Sequence, residues 1–421
     1  MHNPGHAEMG PDLHDAANTP LGGELDGRKI LIIVENLPVP FDRRVWQEAT
    51  TLQQAGATVS VICPMGKGYD QRYEQISGVH IYRHPLPPEG NGALSYAMEY
   101  SAALFWQTVL SWKILFRHGF DVIQGCNPPD LVFLVAWPFK LLGKRYIFDH
   151  HDINPELYIA KFNRQDIFWR LMVLLERWNF ASANVVISTN DSYRNIAHTR
   201  GRKREDDTFV VRSGPDLTRL RLVPPNPERK RDHRYLVGYV GVMGEQEGID
   251  LLLESAAHIV FTMGRSDVAF CLVGGGPSLA SLRQMAHDKG LDAHVEFTGR
   301  APDDVLFEVL STADVCVNPD RVNPMNDLST MNKVLEYMAF GKAQVQFDVR
   351  EGRHSAGEAS LYAKCNDPID FAERIVELLG DPDRCAQMGR IGRQRIENEL
   401  SWEHQRAPLM AAYRRALRLS A

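Results

Sequence analysis

The sequence predicts an α/β protein made of two doubly wound parallel-sheet units. Short apolar strands alternate with helix-length segments from Arg28 onward. The series restarts after a proline-rich charged stretch, Pro224-Pro225-Asn226-Pro227-Glu228. The chain has 421 residues, too many for one ordinary core.

The elements follow in order. Lys29–Val34 reads as a strand, Arg44–Ala55 as an amphipathic helix and Thr58–Cys63 as the next strand. Val79–Arg83, Asp121–Gln124, Tyr146–Phe148, Val185–Ser188 and Phe209–Val211 complete the first series, with a helix at Leu131–Leu142. The second series has strands at Leu236–Val240, Ala269–Val273, Val295–Phe297, Val315–Asn318, Ala343–Phe347 and Ser360–Tyr362. Its helices fall at Gly248–Thr262, Gly276–Lys289, Asp303–Thr312, Thr330–Phe340 and Asp367–Gly380. The expected division is an extension at 1–27, domains at 28–223 and 224–400, and a terminal helix at 401–421 that packs back on the first domain. Open α/β sheets bind ligands at the carboxyl ends of their strands, so two facing units imply a site in the cleft between them.

Composition narrows the class. Hydrophobic residues make up 44% and charged residues 24%, the balance of a globular protein. A net charge of −6 argues against a nucleic-acid binder. The six cysteines include no Cys-x-x-Cys pair, and they read as small buried hydrophobes in a reducing compartment. The first 27 residues lack a basic segment followed by an apolar core, and their composition suggests disorder rather than a secretory signal. Leu94–Phe116 is the most apolar long stretch, but Glu99, Gln107 and Lys113 argue against a spanning helix. Its aromatic residues read as core packing, with a membrane-facing helix as the alternative.

The most specific segment runs from Asn323 through Gly341. It follows a strand and opens a helix at Ser329 or Thr330, both good caps, and the free N–H groups there would hold an anion such as a diphosphate. Glu336 lies about two turns in, in reach of a ribose, and Gly341 ends the helix. Gly238, Gly241 and Gly244, and then Gly274, Gly275 and Gly276, form tight turns after strands; these suit either phosphate approach or plain packing. Asp149-His150-His151-Asp152 follows a buried strand and belongs at the cleft edge. Metal binding by this run is disfavoured, because adjacent residues on an extended segment point to opposite faces. Asp381-Pro382-Asp383 reads as a turn before a helix and not as a metal-binding Asp-x-Asp.

With these segments in this order the chain resembles the family-4 retaining glycosyltransferases of the GT-B fold, over nearly its whole length from Arg28. It looks closest to the bacterial exopolysaccharide and O-antigen subgroup that includes WbuB-like enzymes. Further segments of the resemblance are Pro40–Ala49, Gly238–Asp250 and Phe297–Arg300. The resemblance implies a cytoplasmic enzyme that needs no metal or other cofactor and uses a nucleotide-sugar donor, UDP favoured. It implies a saccharide or lipid-linked saccharide acceptor and peripheral contact with the inner membrane face. Glu336 matches the second of the family's paired glutamates; the first falls on Leu328, so Asp327 or Asn326 is expected to take the sugar-hydroxyl role. His150, then His151, is the expected sugar or acceptor contact. The family's diphosphate-binding Arg and Lys are missing, and Glu247 stands where the Lys is expected. Arg43, Arg44, Arg300 and Lys333, with Gly241, Gly244, Gly275, Ser329 and Thr330, complete the expected donor site. Rival readings are a nucleotide-sugar epimerase of the same fold and a non-catalytic partner protein. A dinucleotide-dependent dehydrogenase is disfavoured, since neither glycine turn makes G-x-G-x-x-G with a following ribose-binding acid.

Overall fold

The computed structural model describes residues 23–86 and 93–419, with side chains of 93–97 left aside. The first sheet contains β1 (Lys29–Ile33), β2 (Thr58–Pro64), β3 (Tyr73–Ile76), β4 (Val79–His84), β5 (Val122–Cys126), β6 (Arg145–His150), β7 (Val185–Ser188) and β8 (Thr208–Val210). Its order is β3-β4-β2-β1-β5-β6-β7-β8, parallel except for β3. The second sheet contains β9 (Tyr235–Val240), β10 (Val268–Val273), β11 (Val295–Gly299), β12 (Val315–Asn318), β13 (Gln344–Phe347) and β14 (Ser360–Ala363). Its order, β11-β10-β9-β12-β13-β14, is the doubly wound pattern that reverses direction beside its first strand. In the first sheet the same reversal lies between β1 and β5.

The near-continuous apolar strands are explained by burial on both faces. In β1, Ile30 and Ile32 enter one core cluster while Leu31 and Ile33 enter the opposite one. In the second domain Val237 and Tyr239 point to one layer and Leu236 to the other. The sequence reading missed β3. Its tyrosine, glutamate and glutamine alternate at an exposed edge, and Ser77-Gly78 (φ 48° and 81°) turns it into β4, the positive-φ pair of a two-residue hairpin.

Of the expected extension, residues 1–22 lie outside the described residues. Gly23–Gly27 is a turn, and Leu25 is fully buried with its N–H on the Ala55 carbonyl (2.9 Å). The terminal helix Trp402–Leu417 lies on the first domain. It places Leu409, Met410 and Tyr413 in that core, and Trp402 Nε1 donates to Thr51 Oγ1 (3.0 Å). Cys63, Cys126, Cys271 and Cys316 are buried, Cys385 is partly buried and Cys365 is exposed; all six are free. Asp381 caps helix Pro382–Arg395 through the Arg384 N–H (3.0 Å), so the Asp-x-Asp is turn chemistry. Among the described residues, no helix is long and apolar enough to cross a membrane.

Candidate active site

A cavity of about 300 Å³ lies between the domains, at the carboxyl ends of both sheets. The first domain contributes Asn36 after β1, Asn127 after β5, His151 and Asp152 after β6, and Thr189 after β7. The second contributes Glu247, Asp320 after β12, and Met325 through Asn332 in part. A larger hollow of about 940 Å³, lined by Arg229, Arg283 and Glu308 among others, sits by the start of β11 and away from the strands' carboxyl ends. The cleft cavity is therefore the candidate site.

Two of the expected caps do not cap. The helix begins at Asn332, with Met331 as its N-cap and no side chain bonding its first amides. Ser329 is extended, and its hydroxyl donates to the Met325 carbonyl (2.8 Å). Residues 328–330 instead meet the first domain. Asn190 Nδ2 donates to the Leu328 carbonyl (2.8 Å) and Thr330 Oγ1 (3.1 Å), and Tyr193 pairs with Ser329 (2.9 Å). The uncapped helix start, with Asn332 exposed at the cavity, is open to an anion. Gly341, at φ +65°, ends the helix as expected.

Lys333 stands beside the turn after β9, which carries no cation of its own. Its Nζ lies 2.5 Å from Glu247 Oε2 and 2.6 Å from Asp320 Oδ1, and 5.2 Å above the Tyr239 ring. Burial works against the ammonium, but Asp320, Tyr239 and Glu247 outweigh it and raise the Lys333 pKa well above its usual value. Burial, helped by Glu247, lifts the Asp320 carboxyl to about 8 against the pull of Lys333. Gly241 lies against this lysine: a Cβ there would come within 3.2 Å of its Cε and 2.4 Å of Tyr239 Oη. Gly274 and Gly276 allow the two turns to touch; a Cβ on Gly274 would overlap the Gly241 carbonyl at 1.8 Å. Gly244 and Gly275 meet nothing closer than 3.6 Å, so close packing does not account for them.

Glu336 spans the cleft. Its carboxylate accepts from Arg43 Nη1 (3.0 Å) and lies 3.8 Å from Arg219. Arg43 also reaches Asp303 (3.3 Å), and Arg219 pairs with that same acid. Burial raises the Glu336 pKa, although both arginines pull it down. Arg43 and Glu336 are thus brought together, both arginines lying against the same carboxylate oxygen, Oε1. Arg300 stacks on Phe41 of the opposite domain, 4.6 Å from the ring centre.

Four expectations meet a different geometry. His150 is fully buried: it shares a strand face with Phe148 and packs on Phe180 and Tyr193, with Nε2 3.5 Å from Glu176. Strand alternation turns it inward, and His151, one residue on, lines the cavity. Asp327 caps the helix at Arg350–Ala356, accepting the Arg350 N–H (2.9 Å). Asn326 donates to the Gln246 (3.0 Å) and Arg321 (2.9 Å) carbonyls, which holds the loop rather than freeing its amide for a sugar. Arg44 is 8% exposed and lines the cavity, but its guanidinium is tied into a polar cluster. It donates to Asp149 (2.9 Å) and the Val211 carbonyl (2.7 Å) and lies 3.1 Å from Glu48.

Cys126, Asp149 and His151 come together in that cluster within 4.8 Å, but Arg44 supplies the positive charge there. Burial disfavours a His151 cation, yet Asp149, 2.7 Å from its Nε2, outweighs this and raises the ring's pKa. Gln124 donates to Glu48 (2.7 Å) and Asp149 (2.8 Å), and Tyr413 from the terminal helix donates to Gln124. Asn127, which the sequence reading missed, accepts the His151 (2.7 Å) and Asp152 (3.1 Å) N–H groups and fixes that loop. Its position directly after β5 was the available signal.

Comparison with known proteins agrees with this architecture. Residues 42–214 match the family described as Glycosyl transferase 4-like domain, and residues 234–381 match Glycosyl transferases group 1. The 2-deoxystreptamine glucosyltransferase of Streptomyces kanamyceticus is 24% identical over 353 residues, 80% of this chain and 89% of that protein. Sucrose-phosphate synthase from Thermosynechococcus elongatus superposes with a TM-score of 0.76 at 19% identity, covering 93% of this chain and 100% of that one. HepE from Anabaena, solved in complex with UDP-glucose, gives 0.68 at 15% identity, covering 91% and 98%. The chain is a glycosyltransferase of the GT-B fold, with a 4-like first domain and a group 1 second domain.

Proposed function

We propose that this chain is a retaining, metal-independent transferase that moves a sugar from a nucleoside diphosphate, UDP favoured, to a saccharide carried on a lipid. The setting is surface polysaccharide synthesis in a bacterial cytoplasm, with peripheral contact at the inner membrane face. The observation that carries the donor reading is the convergence of an uncapped helix start, Lys333 and the Gly241–Gly244 turn. Backbone donors and one buried cation answer the charge that develops on a departing diphosphate. The sugar–diphosphate C–O bond breaks while the acceptor oxygen bonds the anomeric carbon on the same face. The acceptor's proton passes to an oxygen of the departing diphosphate. His151, held at the cavity wall by Asp149 and Arg44, is placed to meet a sugar hydroxyl. The complex of HepE with UDP-glucose and the 2-deoxystreptamine glucosyltransferase support a nucleotide-glucose type of donor.

The test is turnover with a panel of UDP-, GDP-, ADP- and dTDP-sugars, reading nucleotide release and the anomeric configuration of the product. Release from one donor with retained configuration, unaffected by chelator, is expected. Inverted product removes the retaining assignment. Tight nucleotide binding without release moves the non-catalytic reading ahead. Glu336→Ala should strongly lower donor affinity or turnover, and unchanged kinetics would remove Glu336 from the site.

A further inference from the structure

We infer that the outer face of the first domain formed by helices Ala93–Arg117, Phe133–Leu141 and Ile167–Ser182 docks on an anionic lipid surface. The inference deepens the lipid-linked-acceptor reading, on which its purpose rests, but its evidence is the surface itself.

Helix Ile167–Ser182 is amphipathic the wrong way round for a soluble domain. Ile167 (71% exposed), Phe168, Leu171, Leu174 and Trp178 recur at helical spacing on the solvent side. Its carboxylate, Glu176, points inward to Arg200. The neighbouring helix exposes Leu134, Trp137 and Leu141 (91%) at the same spacing, and the next exposes Phe105, Val109 and Phe116 (82%). Ring contacts join the rows: Phe133 meets Trp178 at 6.3 Å, and Trp112 meets Phe139 at 4.8 Å and Phe116 at 5.9 Å. Scattered single apolar residues on a surface are ordinary, but three adjacent rows make a patch that calls for a partner.

The charge identifies that partner. The chain carries −6 overall, yet the exposed charges along this face are Lys113, Arg117, Lys161, Arg164, Arg170 and Arg177, of which Arg164 is paired with the partly exposed Asp166. Arg170 and Arg177 flank the apolar row of their helix and have no ion-pair partner among the described residues. Tryptophan, phenylalanine and leucine set among arginines is the chemistry of a helix lying in a lipid headgroup layer. The patch is on the domain that supplies Asn127 and His151 to the cavity, and helix Phe133–Leu141 begins six residues after Asn127.

The experiment is co-sedimentation of the full chain with phosphatidylcholine vesicles, with and without phosphatidylglycerol, at low and high salt, alongside its oligomeric state by ultracentrifugation. Binding to the anionic vesicles, weakened by salt, is expected. The triple change Ile167→Ser, Phe168→Ser and Leu171→Ser should weaken it roughly tenfold or more. Arg170→Glu with Arg177→Glu should abolish the preference for anionic vesicles, at about fivefold per charge. No binding to either vesicle overturns the inference. So does a dimer that the triple change disperses, because a second copy would then cover the face. Circular dichroism and nucleotide-induced stabilisation, measured on the same variants and expected to be unchanged, show that fold and donor site are intact. Loss of docking and loss of the donor site are therefore separately visible.

Discussion

Two buried clusters in this molecule each set a cation against two carboxylates, and they do different things. In the first domain Arg44 faces Asp149 and Glu48; in the second Lys333 faces Asp320 and Glu247. The acids of the Arg44 cluster are sealed: both are fully buried, Gln124 bridges them and Tyr413 closes them in from the terminal helix, so that only Arg44 and His151 reach the cavity wall. The Lys333 cluster opens on the cleft, where Glu247 keeps 26% of its side chain exposed and lines the cavity with Asp320. A planar arginine suits the sealed site because its fork satisfies several fixed acceptors. A lysine at an open site is a point charge that can exchange a carboxylate for a phosphate oxygen. The same charge pattern therefore keeps its acids inside a domain in one place and presents them to the cleft in the other.

Breaking the sealed cluster should have the largest effect. Arg44→Met removes the guanidinium that faces Asp149 and Glu48, leaving Asp149 to His151 and Gln124, and should cost about 3–5 kcal/mol of stability, read by denaturant unfolding. A stable Arg44→Met protein that fails to bind nucleotide would return Arg44 to the donor site.

The sealed cluster also predicts a pH dependence. Burial, with Asp149 beside it, raises the Glu48 carboxyl from 4.5 to about 8. The folded state then holds a proton that the unfolded state has released, so this group's contribution is complete below about 4.5 and is lost as pH rises towards 8. The slope is at most about 1.4 kcal/mol per pH unit. Glu48→Gln should flatten that decline relative to the wild type; parallel stability curves would refute the assignment.

At the open cluster, Lys333→Ala should weaken nucleoside diphosphate binding roughly tenfold to a hundredfold, the range of a hydrogen bond to a charged group. Calorimetric titration reads it, and unchanged affinity would place the diphosphate elsewhere. The smallest effect is the most discriminating. Glu247→Gln removes a negative charge that competes for Lys333, so affinity should rise a few-fold. Weaker binding would mean that Glu247 positions the lysine more than it competes for it.

The same contrast shows what the sequence made legible. The strand series, the restart after Pro224 and the helix end at Gly341 follow from local patterns of period two, proline punctuation and a positive-φ glycine. The role of Arg44 depends on partners at 48, 149 and 211, and that of Lys333 on partners at 247 and 320. No local rule pairs such distant charges. Asp327 is drawn to the helix start at Arg350, 23 residues on, which its own neighbours do not announce. The burial of His150 was readable in principle: it keeps strand parity with Phe148, and parity fixes the face.

The most direct test of the donor cleft is thermal unfolding of the full chain with UDP, GDP, ADP or dTDP, each with and without Mg²⁺. A nucleotide at a hundred times its dissociation constant adds about 2.7 kcal/mol, a readable shift. Stabilisation by one nucleotide, equal with and without Mg²⁺ and lost in Lys333→Ala, is the predicted result. No shift with any of the four would contradict the account, because it would leave the uncapped helix start and Lys333 without the diphosphate proposed for them.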